Sequence, residues 1–146
     1  MAWLRGGKYV LQAMVLSPEG NLRVPIAIGL GAIAGALSRY YLSLGINQWL
    51  GTVFPFATFF INLSGAFVMG FFTSMAIARN VISPDIRLII AVGFLGSYTT
   101  FSTYTLDLER LIETGNWQSA TLYWIGSTVL GVLSLELGRY IAQKLP

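Results

Sequence analysis

Residues 93–105, GFLGSYTTFSTYT, set two glycines among a dense run of serine, threonine and tyrosine hydroxyls, with no charge, inside a hydrophobic segment. Small hydroxyls and unwound backbone carbonyls can hold an ion loosely enough for it to leave again, which conduction requires. Gly93 and Gly96 lower helix propensity. Non-helical backbone at membrane depth is tolerated only where protein or a water-filled cavity covers it. An interrupted helix amid small polar groups is how membrane proteins build ion sites. The chemistry this stretch points to is ion binding and conduction.

Other residues fit the same chemistry, each with a plainer alternative. Phe101 and Tyr104 are three apart and share a helix face, flanked by Thr99, Thr100, Ser102 and Thr103. A ring has a positive edge, so a ring presented edge-on attracts a small anion without a full charge; plain packing is the alternative. Asn62 is the amide within an otherwise apolar run. It needs partners, because unsatisfied polar groups there are costly, and it serves either an interhelix hydrogen bond or an anion path. Ala66, Met69 and Thr73 continue its face. Arg39 is either a snorkelling anchor or a fixed positive charge drawing anions into a vestibule. Tyr123, Ser127, Gly131, Ser134 and Gly138 form one polar, small-residue face. Gly31 and Gly35 form a GxxxG element, which lets helix backbones approach closely.

Four elements must position these groups. The chain has 146 residues, 55% hydrophobic and only 10% charged, with a mean hydropathy of +0.67; soluble domains carry roughly a quarter charged residues. No charge falls between Arg23 and Arg39, Arg39 and Arg79, Arg87 and Asp107, or Glu113 and Glu136. A bilayer core needs about 20 apolar residues per helix. Four spans are therefore expected near 24–44, 53–78, 88–106 and 117–135, with loops at 45–52, 78–87 and 107–116. Residues 1–23 read as a prefix, a basic interfacial helix ended by turn chemistry at 17–21, and 24–146 as the transmembrane unit. Pro25 suits an early helical position.

The absence of cysteine and histidine excludes disulfides and thiolate sites and removes the usual proton shuttle and metal ligand. Arg5, Lys8, Arg23, Arg79, Arg87, Arg139 and Lys144 fall on one side of the membrane and Arg39 and Arg110 on the other, favouring cytoplasmic termini. Three of those seven belong to the prefix.

GAIAGALSRY at 31–40, INLSGAF at 61–67 and GFLGSYTTFSTYTLD at 93–107 together resemble the Fluc (CrcB) family of bacterial fluoride channels, over residues 24–144. The resemblance implies an all-α integral membrane protein of four helices, the third broken, dimerising antiparallel with a second copy of the chain in the bacterial inner membrane. It implies two fluoride pathways per dimer. It places a structural sodium ion at the dimer centre on the backbone carbonyls of Gly96 and Thr99. It assigns ring edges facing fluoride to Phe101 and Tyr104, where the family has two phenylalanines, and the donating amide to Asn62. A polar track falls on Ser102, Thr103, Tyr123 and Ser127, with Asp107 where the family has glutamate.

Two other classes compete. A small multidrug-type exporter needs a membrane-embedded carboxylate, and none of the expected spans contains Asp or Glu. A non-transporting scaffold would explain the glycines and hydroxyls as packing. An enzyme is the least favoured class: no nucleophile–base pair or metal-ligand set is present.

Overall fold

The computed structural model describes residues 22–79 and 82–145, so the expected interfacial helix of the prefix lies, up to residue 21, outside them. The regular elements of the described residues are all helical, and four helices are long and apolar enough to cross a membrane. The first, α1 (Arg23–Leu50), carries Pro25 in its first turn. Its 28 residues run about 42 Å, past the expected end at 44. A lone Gly45 costs only about 1 kcal/mol and does not stop a helix. Gly51 does, because its φ of 75° suits a residue without a Cβ.

Helix α2 (Phe56–Arg79) follows a short connection. The third span, Pro84–Glu113, is composite. Ser83 caps α3 (Pro84–Arg87), its hydroxyl accepting from the Ile86 N–H at 3.4 Å. A π-helix, Leu88–Leu95, and one turn of α-helix, α4 (Gly96–Tyr98), follow. Thr99 and Thr100 are extended (ψ 156° and 116°), and helix resumes as α5 (Phe101–Glu113). The expected loop at 107–116 shrinks to a turn around Gly115 (φ 72°). Asp107, Glu109, Arg110 and Glu113 stay helical, since Leu, Glu and Arg favour helix and charge by itself does not break one. The last span is α6 (Trp117–Lys144), capped by Asn116.

Glycines decide how the helices meet. A Cβ on Gly31 would overlap the Ile89 carbonyl, and one on Gly35 the Phe94 carbonyl; from the opposite side Gly93 faces the Ile28 carbonyl. The GxxxG element of α1 is thus the bed of the π-helix, whose widened turns (π-bulges often mark functional sites) press backbone onto backbone. The Ser97 hydroxyl lies 2.9 Å from the Ala32 carbonyl and 2.6 Å from that of Gly93, stitching the two together. The most extensive packing joins α2 to α6, where Gly70 faces the Leu135 carbonyl and Gly138 that of Phe67. At one end of the bundle Arg23 pairs with Asp85, and Arg87 donates to the Ala76 and Ile82 carbonyls at 3.0 and 3.2 Å.

The core lies toward the other end. Leu111, Ala120 and Tyr123 are buried, with Phe54, Phe59, Tyr104 and Leu108 packed against them. Leu30, Ile33, Leu37, Val132 and Leu133 point outward and are more than half exposed, as suits side chains whose solvent is lipid.

Candidate ion pathway

The two-residue interruption at Thr99–Thr100 is held by α2. An extended pair inside a membrane leaves backbone groups that must find partners. Asn62 supplies both for Thr100: its Oδ1 accepts the Thr100 N–H at 2.8 Å and its Nδ2 donates to the Thr100 carbonyl at 3.0 Å. The same stretch of α2 meets the preceding turn. A Cβ on Gly65 would overlap the Thr99 methyl, and the Ser64 hydroxyl lies 2.9 Å from that of Tyr98. Within INLSGAF, Asn62, Ser64 and Gly65 thus form the bed of the interruption.

These substitutions free two carbonyls. In a continuing α-helix the Thr100 N–H would bond the Gly96 carbonyl and the Thr103 N–H that of Thr99. Here the first goes to Asn62, and the second goes to the Thr100 hydroxyl at 3.2 Å, an N-cap for α5. The Gly96 and Thr99 oxygens lose their helical donors, and Gly96 is exposed on the chain's surface.

Beyond the cap the aromatic residues form a column. Phe101 and Tyr104 have ring centroids 5.6 Å apart, and Tyr104 lies 5.1 Å from Tyr123. Phe101 is 76% exposed while Tyr123 is fully buried. The column therefore runs from the surface beside the interruption into the core. Ser102 and Thr103 lie on the exposed side with Phe101. Ser127 lies on α6, one turn beyond Tyr123, and its hydroxyl is buried without a hydrogen-bond partner among the described residues. Of the candidate residues, Asn62, Phe101, Ser102, Thr103 and Tyr104 thus gather at the cap, with Tyr123 behind them.

Two polar features flank the column. The Thr58 hydroxyl donates to Asp107 Oδ2 at 2.7 Å, and the Tyr123 hydroxyl lies 3.5 Å from the same oxygen. Asp107 is therefore a partly buried carboxylate within the third span. This corrects the expectation that no acidic residue lies inside the spans: α5 runs past the last apolar residue and folds Asp107 against α2 and α6. The second feature is a cavity of about 420 Å³ lined by Arg39, Tyr40, Ser43, Thr58, Thr100 and Thr103, among others. Arg23, Arg87, Arg110, Arg139 and Lys144 each have a partner. Arg39 has none among the described residues and faces this cavity, beside the Thr100 cap.

Thr58 was not among the residues singled out from sequence. Its signal was its position one turn before Asn62, on the same face of α2.

With Asp107 inside a span, acidic content no longer separates an exporter from a channel. The comparisons with known proteins do. The sequence model of the family described as CrcB-like protein, Camphor Resistance (CrcB), matches residues 26–139. The chain belongs to the CrcB family. The match covers every element described here, from the first turn of α1 to the last turns of α6. A CrcB relative from Trichormus variabilis is 58% identical over 126 residues, 86% of this chain and 92% of its own length. One from Synechococcus sp. is 53% identical, over 84% of this chain and 95% of its own. A third, from Synechocystis sp., is 47% identical over 86% and 96%. All three are called fluoride-specific ion channel FluC. The CrcB assignment removes the exporter and scaffold classes and makes the chain a multi-pass membrane protein of the channel kind rather than an enzyme.

Proposed function

We propose that this chain is the subunit of a fluoride-selective channel that lowers cytoplasmic fluoride by passive export. The observation that carries the reading is the Thr99–Thr100 interruption capped by Asn62, with Phe101 and Tyr104 directly after it, in a chain of this family. Fluoride enters cells as neutral HF and ionises inside, and a negative membrane potential drives the anion back out through any selective path. Removing water from fluoride is costly, so the path must offer many small donors and ring edges in its place; narrowness then excludes the larger chloride. Arg39, whose guanidinium has no partner among the described residues, gathers anions in its cavity without occupying the path, where a full charge would hold them too firmly. Asn62 braces the interruption and keeps one N–H for the ion. Ser102, Thr103, Tyr123 and Ser127 provide further hydroxyls.

The working unit is an antiparallel dimer of two copies. The exposure of Phe101 and of the Gly96 region in the single chain supports it, since a ring at membrane depth beside free polar backbone is not a lipid-facing surface. The carbonyls of Gly96 and Thr99, stripped of helical donors, are hard oxygen ligands suited to a sodium ion. They would hold it where the two interruptions meet. Its positive charge would neutralise the converging carbonyl dipoles and fix the subunits.

A growth assay tests the function. Expression in bacterial cells stripped of their own fluoride exporter is expected to restore growth in fluoride-containing medium. Normal membrane expression with no protection would overturn the reading.

A further inference from the structure

The connection between α1 and α2, residues 51–55, does more than join two helices. Phe54 turns inward: its carbonyl accepts the Phe56 N–H at 2.8 Å around the buried Pro55, which directs the ring into the core. There it stands edge-on to Tyr123, with centroids 5.6 Å apart and planes at 83°, and it also touches Phe56 and Phe59 at 4.8 and 6.3 Å. Two residues earlier, the Thr52 carbonyl accepts from Arg110 at 2.8 Å. The connection is thus fastened both to the third span and to the inner end of the aromatic column. From Phe54 the column passes through Tyr123 and Tyr104 to Phe101 in steps of 5.6, 5.1 and 5.6 Å.

We propose that Phe54 is a positioning residue for ion passage. Its edge fixes the plane of Tyr123, and Tyr123 in turn fixes the ring of Tyr104. The inference rests on the channel reading above. Edge-to-face aromatic pairs are directional and contribute beyond the area they bury, so an aliphatic side chain of similar volume fills the space without holding the plane. Among the ring contacts of Phe54, Tyr123 is the one candidate path residue, and the effect on the ion is transmitted through that ring.

The test uses the full-length protein in proteoliposomes, with fluoride efflux per reconstituted dimer and thermal stability in detergent measured side by side. Phe54→Leu is expected to lower fluoride efflux by roughly ten- to a hundredfold, since a misplacement of about 1 Å remote from a site can cost about a hundredfold. Phe54→Tyr, which keeps the ring edge, is expected to restore most of it. In a Tyr104→Ile background Phe54→Leu should add no further loss, because the Tyr104 ring that it positions through Tyr123 is gone. Three results would each overturn the proposal: stability lowered with efflux per dimer unchanged, the same efflux for Leu as for Tyr, or a loss that simply multiplies with Tyr104→Ile. Should Phe54→Leu fail to fold, Phe54→Met with Phe54→Tyr decides on the same criteria. An unsubstituted protein that passes no fluoride sinks the channel reading instead, and that outcome is read before any variant.

Discussion

Phe101→Ile is expected to lower fluoride efflux by at least about tenfold, equivalent to ~1.4 kcal/mol of lost ion stabilisation, while the protein stays folded. The side chain is 76% exposed, so the substitution disturbs little packing within the chain; what it removes is the ring edge, which an aliphatic group cannot imitate. Tyr104 separates ring from hydroxyl. Its ring contacts to Phe101 and Tyr123 do not involve its oxygen, so Tyr104→Phe keeps the column and loses a group whose hydrogen bond is worth about 0.5–1.5 kcal/mol net. Efflux within roughly tenfold of the parent is expected for Tyr104→Phe, and a much larger loss for Tyr104→Ile. Ion-selective electrode recordings on the three variants check this. An inactive Tyr104→Phe beside an active Tyr104→Ile would make the hydroxyl, not the ring, the working group.

Asn62→Leu is the second large effect. The amide meets both the N–H and the carbonyl of Thr100, and leucine meets neither. Each buried backbone group left unpaired costs about 1–3 kcal/mol, so the substitution destabilises the interrupted helix by roughly 2–6 kcal/mol. The expected response is re-formation of helix across Thr99–Thr100, with the Thr100 N–H returning to the Gly96 carbonyl, and loss of fluoride efflux. Asn62→Asp is expected to fall between, since a carboxylate still accepts from the Thr100 N–H but cannot donate to its carbonyl. Thermal unfolding in detergent, paired with efflux, reads both. Wild-type stability and efflux in Asn62→Leu would mean the interruption is held by something other than this amide.

The four spans were legible because charge is absent over four long intervals, a signal that needs no tertiary information. Their ends were not. Gly45 reads as a breaker from sequence but has open space around it and stays helical, and the charges from Asp107 to Glu113 look like a loop yet continue α5. The interruption was legible as a place but not in its mechanism. Gly93 and Gly96 drew attention to it, yet the backbone extends at Thr99 and Thr100, and Gly93 serves close packing on α1. The deciding partner, Asn62, is 38 positions away, and no local pattern specifies that pairing. The hydroxyl content of residues 97–105 did carry real information. Thr100 caps α5, Ser97 ties α4 to α1, and Ser102 and Thr103 remain beside Phe101. Thr58, Phe54 and the Arg110–Thr52 contact emerge only when α2, α5 and α6 are brought together.

The central claim is that the capped interruption serves a path that passes fluoride and rejects chloride. The direct measurement is efflux from proteoliposomes loaded with both salts, followed by fluoride and chloride electrodes in the same vesicles. Rapid fluoride release with chloride retained until detergent is added is the expected result. Comparable release of the two anions, or none of either from correctly folded protein, would contradict it.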